Sequence, residues 1–379
     1  MTKTQDILDT INRAIVDEAD IQRVTDVLRS GFLSKPDGGP YVAAFQEAMA
    51  KAHNQKHAFA VNSGTSALHC AIMAMELNKG DEVIIPALAN IADYSVIIQE
   101  GGTPIFADID PKNFNIDPAS IEAKITEKTR AIIVVHMYGQ PAKMHEIMAI
   151  AKKRKLAVIE DCAQAAGARY NGEYVGSFGD ISCVSLYQTK HIICGEGGIV
   201  MTSNDQYAAV ITSVANNGII KDRLDDYDYD RIGCNYQLSE IHAALALGQL
   251  QKLDKKNIER RENVAFITSL LADLPLQFQH SPDNTEHSYF YLTALLPESF
   301  VGKRDEFCTA VQQLDSPIKK LYPLALTELT LMKGKLEPVC PIAQHITKRV
   351  FNIHVNPGMK RAHMEHITAC IRDAYNSLA

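Results

Sequence analysis

Short apolar runs alternate with amphipathic stretches along the first two thirds of the chain. The apolar runs are about five residues long and rich in β-branched residues, as in residues 131–136, which is typical of buried strands. The stretches between them repeat apolar positions three or four residues apart, as at Ile21, Val24 and Val27, which predicts helices. Continuous apolar strands that alternate with helices predict an α/β fold, with a mostly parallel central sheet and helices on both faces.

The individual elements follow from this periodicity and from the glycine and proline residues that interrupt it. Strands are predicted over residues 57–61, 82–86, 104–108, 131–136, 157–161, 181–184 and around 199–200. Helices are predicted over residues 16–32, 42–53, 67–77, 94–100, 118–123 and 144–153, with a loop over 34–40.

The pattern changes after a long helical stretch over residues 238–271, which is long enough to link two domains. Beyond it, strands are predicted at 288–296 and 351–355, and helices at 303–313 and 363–378. We therefore expect a large α/β domain over residues 1–255 and a smaller C-terminal α+β domain over residues 256–379.

Polar side chains follow several of the predicted strands. Ligands of such sheets bind at the carboxyl ends of the strands, where the candidates are Ser63, His136, Asp161 and the segment from Ser185 to Lys190. The turn around Ser63 leads directly into a helix, and a helix N-terminus with hydroxyl groups suits a phosphate. Simple capping of the helix by Ser63 or Thr65 explains the same residues without a ligand.

Lys190 lies just beyond a buried strand, and the glycines at 195, 197 and 198 follow it. Burying an ammonium group is costly, and a lysine with a lowered pKa is suited to Schiff-base chemistry. A surface hairpin with a solvated lysine is the alternative for an isolated lysine of this kind.

Composition excludes several classes of protein. The chain has 379 residues, of which 46% are hydrophobic and 22% charged, with a net charge of -7, as in ordinary globular proteins. The absence of a basic block argues against nucleic acid as a partner. No apolar run reaches the roughly 18 residues of a membrane span, and the polar N-terminus has no apolar h-region, so we expect no signal peptide. The eight cysteines are scattered without a C-x-x-C pair, so we expect free thiols in a reducing cytoplasm and no metal site.

Three of these features together meet the needs of one cofactor. A lysine that forms an imine with a carbonyl cofactor also needs a phosphate site and a carboxylate that keeps a pyridine nitrogen protonated. The chain supplies these in order as Ser63-Gly64-Thr65, Asp161 and Lys190. Asp161 alone could equally be a helix cap or a surface charge.

In its motifs the sequence resembles the DegT-type sugar aminotransferases, which are pyridoxal 5'-phosphate enzymes of fold type I. The resemblance runs from Gly31 to about Gly358 and rests on the order of the motifs. They are NSGTSAL at 62–68, VHMYGQP at 135–141, IEDCAQA at 159–165, GSFGD at 176–180, SLYQTK at 185–190, GEGG at 195–198 and GCNYQLS at 233–239.

The resemblance implies a role for each matching residue. Lys190 would bind the cofactor covalently and move the proton, Asp161 would pair with the pyridinium nitrogen, and Gln164 would lie near the ring hydroxyl. The phosphate would be held by Gly64, Thr65 and Ser185, and by Asn235 from a neighbouring subunit. A homodimer with active sites at the interface is therefore expected, although Asn235 could instead cap the helix that begins near Ser239.

The sequence departs from the family pattern at two places that concern the cofactor ring and the acceptor. Asn90 stands where relatives usually have an aromatic residue that stacks on the cofactor. We expect either that Asn90 contacts the cofactor or the substrate by hydrogen bonds, or that another residue covers that face of the ring. Ala325 stands where many relatives have a histidine. The candidate acceptor-binding residues are Lys35, Tyr187, His191, Lys319, Lys320 and Tyr322, for which solvated loop charges and packed aromatic rings are the alternatives.

The implied activity is transfer of an amino group from L-glutamate to a keto- or aldehydo-sugar for surface polysaccharide, such as lipopolysaccharide, biosynthesis. The acceptor would be a nucleotide-linked keto-deoxysugar or an oxidised octulosonic acid. Two alternatives stay open. One is a sugar dehydratase that uses the same cofactor, because related dehydratases have a histidine in place of the lysine and His191 follows Lys190 here. The other is a non-catalytic regulatory relative. A dinucleotide oxidoreductase is disfavoured because no G-x-G-x-x-G follows a strand.

Overall fold

The computed structural model describes residues 3–35, 38–220, 227–334 and 339–379. Its helices are α1 (Lys3–Asn12), α2 (Glu18–Ser30), α3 (Pro40–Ala52), α4 (Gly64–Ala74), α5 (Ile91–Gln99), α6 (Pro118–Lys124), α7 (Met144–Arg154), α8 (Asp205–Val214), α9 (Glu240–Leu250), α10 (Leu253–Leu270), α11 (Arg304–Gln313), α12 (Pro341–Thr347) and α13 (Arg361–Leu378). Its strands are β1 (His57–Val61), β2 (Glu82–Pro86), β3 (Thr103–Ala107), β4 (Thr129–Val135), β5 (Ala157–Asp161), β6 (Arg169–Tyr170), β7 (Glu173–Tyr174), β8 (Ile181–Ser185), β9 (Gly198–Thr202), β10 (Gln277–Phe278), β11 (Thr285–Glu286), β12 (Leu292–Leu295), β13 (Ile318–Lys319) and β14 (Val350–Ile353).

A seven-stranded central sheet forms the larger part of the structure, in the order β1-β9-β8-β5-β4-β2-β3. The pairs that join β3, β2, β4, β5 and β8 are parallel, and β9 alone runs antiparallel to its neighbours β8 and β1. Successive residues of one strand enter different cores. Ile133 of β4 packs in one core with α4 and α5, and Ile132 and Val134 pack in another core with α6 and α7. The predicted α/β fold, a mostly parallel sheet with helices on both faces, is therefore confirmed.

The C-terminal region has a sheet of its own, with the order β10-β12-β14-β13 and antiparallel pairing throughout. Helices α10, α11 and α13 share a hydrophobic core with this sheet. Ile7 and Ile11 of α1 are buried in the same core, so the N-terminal helix packs with C-terminal elements. The division of the chain at residue 255 stays a prediction.

Capping residues set several helix boundaries that periodicity alone misplaced. Helix α4 begins at Gly64, three residues earlier than predicted, because the Ser63 side chain accepts the N–H of Ser66 at 3.0 Å. Helix α3 begins at Pro40, which had been assigned to a loop, and proline suits the first helical position because its missing N–H needs no partner there. Residues 36 and 37 of that predicted loop lie outside the described residues.

The long helical stretch predicted over 238–271 was wrong as one continuous helix. It consists of α9 and α10, separated at Gln251 and Lys252, where the Lys252 N–H bonds the Gln249 carbonyl in a tighter turn. The strand predicted over 288–296 is also shorter and is confined to β12. Within the described ranges, we find no helix that combines the length and apolarity needed to span a bilayer.

Candidate active site

A cleft of about 240 Å³ opens at the carboxyl ends of β5 and β8. Asp161 ends β5 and Ser185 ends β8, so both enter the cleft from the sheet. Its lining residues are Ser63, Gly64, Thr65, Leu68, Asn90, Ala92, Asp161, Ala163, Gln164, Ser185, Tyr187, Lys190, Glu196 and Tyr322. Nine of the residues predicted for the cofactor, the catalysis or the acceptor therefore meet in one place: Gly64, Thr65, Asn90, Asp161, Gln164, Ser185, Tyr187, Lys190 and Tyr322.

The N-terminus of α4 forms one wall of the cleft. The Ser63 side chain and carbonyl accept the N–H groups of Ser66 and Ala67. The N–H groups of Gly64 and Thr65 precede the first position that can bond within the helix, so they remain available to an anion. A Cβ at Gly64 would lie 2.7 Å from the Cβ of Ser185, so only glycine lets the helix approach β8 this closely.

Asp161 supplies a buried carboxylate to the cleft, with only 3% of its surface exposed. Its Oδ1 accepts the N–H of Ala163 at 2.8 Å. Burial raises the pKa of Asp161, and the Ala163 N–H and the charge of Lys190 act against that rise. A carboxylate in this position attracts a protonated ring nitrogen, because few other charges compete with it.

Lys190 lies across the cleft, with its Nζ 4.4 Å from the centre of the Phe290 ring. Burial lowers the pKa of Lys190 to about 8, although the negative charge of Asp161 acts to raise it. The backbone is held by a hydrogen bond from the Lys190 N–H to the Tyr187 carbonyl at 2.8 Å. About a tenth of the amine is therefore unprotonated at pH 7, far more than for a free lysine, and this fraction is available for nucleophilic and basic chemistry.

Gln164 and Tyr322 form a hydrogen-bonded side of the cleft. The Gln164 Nε2 donates to the Tyr322 hydroxyl at 3.1 Å, and its Oε1 accepts the N–H of Tyr138 at 3.1 Å. Asn90 is exposed at the cleft and accepts the N–H of Ala92 at 2.9 Å, which caps α5. Asn90 thus has a structural role beside the cofactor or substrate contact that the sequence predicted for it.

Several predicted acceptor residues lie outside this cleft within a single chain. Lys320 is exposed and pairs with Asp305 at 2.9 Å, and Lys319 is exposed on β13. Lys35 is exposed on the rim of a separate groove lined also by Val42 and Phe59. The positions of these three lysines agree with the alternative that they are solvated surface charges.

His191 and Asn235 also lie away from the cleft of their own chain. His191 is 3% exposed, its Nε2 contacts the Ser288 carbonyl at 3.1 Å, and burial lowers its pKa well below the ordinary value. It lines a recess of about 30 Å³ with Lys256 and Arg260. The Asn235 side chain is exposed, and its carbonyl accepts the Asn62 amide at 3.2 Å.

His136, another strand-end candidate, is turned into the interior. Together with Glu160 and Cys162 it forms a group whose ligand atoms lie within 4.8 Å of one another. The His136 Nδ1 accepts the N–H of Ala142, its Nε2 donates to Glu160, and the other Glu160 oxygen accepts two N–H groups. These hydrogen bonds already use the histidine and carboxylate atoms, which gives the cluster a structural role.

The sequence analysis missed two side chains next to the predicted site. Phe290 covers the Lys190 amine, and Asp93 of α5 lies against Asp161. Phe290 is 100 residues from Lys190 and belongs to no motif there, so no local signal marks it. Asp93 could have been noticed as a carboxylate within the apolar sequence of α5.

The residues of the cleft fit pyridoxal phosphate in kind and in position. The glycine at position 64 leaves room beside free N–H groups for a phosphate, Asp161 can face a ring nitrogen, and Lys190 offers an amine that loses its proton more readily than that of a free lysine. None of these groups alone is specific for pyridoxal phosphate. The assignment of this cofactor rests on their meeting in one cleft.

Comparison with known proteins gives consistent results. Residues 14–372 match the DegT/DnrJ/EryC1/StrS aminotransferase family. The GDP-perosamine synthase of Vibrio cholerae is 31% identical over 356 residues, covering 94% of this chain and 96% of that protein. The UDP-N-acetyl-3-dehydro-alpha-D-glucosamine 3-aminotransferase of Acidithiobacillus ferrooxidans is 35% identical over 317 residues, covering 83% and 84%. An aminotransferase structure from Psychrobacter cryohalolentis aligns with a TM-score of 0.85 at 28% identity, covering 96% and 98%.

Proposed function

Because the chain belongs to the DegT/DnrJ/EryC1/StrS aminotransferase family, we propose that it transfers the amino group of L-glutamate to a keto- or aldehydo-sugar. Its membership makes it a pyridoxal-phosphate-dependent sugar aminotransferase, and its fold is the fold type I of these enzymes. The donor, the acceptor and the residue roles are our proposal. The observation that carries the proposal is the meeting of Lys190, Asp161 and the N-terminus of α4 in one cleft.

Pyridoxal phosphate, when bound, supplies an electron-withdrawing ring that stabilises negative charge at the substrate carbon. Lys190 would hold it covalently in the resting enzyme. The amino donor would free the Lys190 amine, which in its neutral form would remove the α-proton of glutamate. Water would supply the keto oxygen of 2-oxoglutarate, which leaves at the end of the first half-reaction. In the second half-reaction the sugar carbonyl oxygen would leave as water, and Lys190 would return a proton at the sugar carbon before the amino sugar leaves. The pKa of about 8 supports both the basic and the acidic task.

The remaining residues position the reacting groups. Asp161 would keep the ring nitrogen protonated, and Gln164 would lie beside the ring hydroxyl. Gly64, Thr65 and Ser185 would bind the phosphate.

The homodimer belongs to the same proposal. Asn235 is exposed outside its own cleft, as expected of a residue that serves a neighbouring subunit. Ile232, three residues earlier, is 88% exposed, and Phe32 is 64% exposed. Large apolar side chains at the surface favour contact with another protein surface.

The site and the relatives limit the identity of the sugar acceptor less than they limit the type of reaction. The names of two relatives refer to nucleotide-linked sugars, which supports an acceptor of that kind. An oxidised octulosonic acid is the other acceptor we propose, for surface polysaccharide biosynthesis in the cytoplasm. Tyr187 and Tyr322 are the acceptor candidates that line the cleft, and Lys35, Lys319, Lys320 and His191 remain candidates only through a second subunit or a movement.

The test is an absorbance spectrum of the purified protein with pyridoxal phosphate, before and after L-glutamate is added. We expect a visible band from the covalently held cofactor, its loss when glutamate is added, and no such band in Lys190→Ala. Acceptors are then screened by mass for an aminated product. A band that glutamate leaves unchanged would refute the donor, and a dehydrated product without nitrogen would favour the dehydratase alternative.

A further inference from the structure

Asp93 is a buried carboxyl group for which the roles described so far give no explanation. It lies in the first turn of α5 with none of its surface exposed. Neither carboxyl oxygen makes a well-formed hydrogen bond to a donor among the described residues, although the backbone N–H groups of Asn90 and Asp93 act to lower the pKa of Asp93. An unpaired buried carboxylate is costly, and a carboxyl group in such a place keeps its proton.

The group next to it is the Asp161 carboxyl, which lies within hydrogen-bonding reach. Two carboxylates so close cannot both be ionised without strong repulsion, so they share one proton. Asp161 has the hydrogen bond from the Ala163 N–H and the charge of Lys190 to stabilise its ionised form. Among the described residues, Asp93 has only the nearby backbone N–H groups of Asn90 and Asp93 and no positive charge. The proton therefore lies on Asp93, which donates it in a hydrogen bond to Asp161.

The pKa directions agree with this distribution. Burial is the main cause that raises the pKa of Asp93 well above its usual value, and the charge of Asp161 adds to it. The other ionisable groups near the two carboxyls are Lys190, His136, Tyr322, Cys162 and Cys183. Burial raises the pKa of Tyr322 and of both cysteines, so they remain neutral at physiological pH.

We propose that Asp93 is a positioning residue, which stays protonated and donates a hydrogen bond that holds Asp161 as an oriented carboxylate facing the cofactor ring nitrogen. This inference rests on the proposed role of Asp161. Donors on both sides, Asp93 and the Ala163 N–H, fix the rotation of the Asp161 carboxylate and lower the cost of keeping its charge in a buried place. Asp93 does not line the cleft, so it acts on the cofactor only through Asp161.

The test measures the dissociation constant of pyridoxal phosphate by equilibrium dialysis, which requires no turnover. Asp93→Leu removes the donor at similar volume, and we expect it to weaken cofactor binding about tenfold, as for loss of a hydrogen bond to a charged group. Asp93→Asn keeps an N–H donor at the same position and should restore most of that loss. Val96→Ala on the same helix is the control, because Val96 is buried and apolar and does not line the cleft, so this change should lower only the melting temperature.

A double-mutant cycle with Asp161→Asn distinguishes the role proposed for Asp93 from the role proposed for Asp161. If Asp93 acts through Asp161, then Asp93→Leu weakens binding in the wild-type background and has little further effect once Asp161 is replaced. An equal loss in both backgrounds, or Asp93→Asn behaving like Asp93→Leu, would overturn the role of Asp93. If Asp161→Asn itself leaves the dissociation constant unchanged, the role proposed for Asp161 is wrong, and the inference about Asp93 fails with it.

Discussion

The Lys190 amine experiences two opposing influences in the cleft. Burial lowers its pKa and the Asp161 carboxylate raises it, and burial prevails, so that the pKa is about 8. The ammonium form is therefore less stable than in water, where a lysine has a pKa near 10.5. An enzyme that needs the free amine near neutral pH gains a larger reactive fraction from this environment.

This balance predicts how the cofactor-free protein combines with pyridoxal phosphate. Only the unprotonated amine attacks, so the rate should rise with pH and level off above about 8. Asp161→Asn removes the charge that favours the ammonium form and should move the midpoint to lower pH. Rapid-mixing absorbance measurements across the pH range give both midpoints, and a wild-type midpoint near 10.5 would contradict the prediction.

Lys256 provides a matched control for this measurement. Burial lowers its pKa to about 8 as well, so among the described residues it is a second lysine with a lowered pKa. It lines the small recess to which His191 and Lys190 also belong, and it does not line the cleft that holds Asp161. Lys256→Met should leave the absorbance band and its pH dependence in place.

The sequence predicted those site residues that belong to short motifs at strand ends. Lys190, Asp161 and Gly64 each follow an apolar run, and the order of their motifs indicated one shared chemistry. Asp93 and Phe290 could not be predicted in this way, because the role of each depends on a residue far away in the sequence. Asp161 is 68 residues from Asp93, and Lys190 is 100 residues from Phe290. Such pairs are created by the packing of α5 and of the C-terminal segment against the sheet.

The boundaries of the helices depend on side chains that terminate them. Asn90 caps α5 through the Ala92 N–H, and Asn204 caps α8 by accepting the N–H groups of Gln206 and Tyr207. Asn90 lines the cleft, whereas Asn204 lies outside it. The two asparagines therefore separate the structural effect of a cap from an effect on the site.

We expect Asn90→Ala and Asn204→Ala each to lower the free energy of unfolding by about 1 kcal/mol, the usual value of a lost N-cap. Only Asn90→Ala should also change the affinity for pyridoxal phosphate or the acceptor KM, because only Asn90 faces the cleft. Denaturant unfolding measures the first effect, and dialysis and steady-state kinetics measure the second. Equal effects of the two variants on the cofactor and the acceptor would show that Asn90 is a cap alone.

Strand positions were easier to predict than helix ends. Strands β1, β2 and β5 have the predicted bounds, because a buried strand in a parallel sheet is a continuous apolar run with polar residues on both sides. The break between α9 and α10 could not be predicted, because residues 251 and 252 have good helix propensity. The two-residue strands β6, β7, β10, β11 and β13 are too short for periodicity to show them.

Contacts between distant parts of the chain complete the fold. Helix α1 packs its Ile7 and Ile11 into the core of the C-terminal sheet, with Val264, Ile267 and Ile371. The sequence shows only that the N-terminus is polar overall and contains a few apolar residues. The partner of such a helix depends on which surface remains uncovered once the rest of the chain has folded.

The proposed homodimer can be tested by combining two defective variants in one dimer. If Asn235 serves the cleft of the neighbouring subunit, the Lys190 and the Asn235 of one active site belong to different chains. Lys190→Ala and Asn235→Ala then each inactivate a site through a different chain. A hybrid dimer of the two variants then has one site with both residues intact and one site with neither. Co-expression should therefore restore about a quarter of the wild-type sites when the chains pair at random.

The expected result is measurable amination by the mixed dimers where each variant alone has little or none. A tagged hybrid, purified by two affinity steps, gives the activity per intact site and removes the parental dimers. If Asn235 acted within its own chain, the hybrid would contain one site without Lys190 and one without Asn235, and activity would not recover. Recovery would therefore require both an interface that brings two chains together and a cleft to which each contributes, whereas its absence would show that Asn235 does not serve the cleft of a neighbouring subunit.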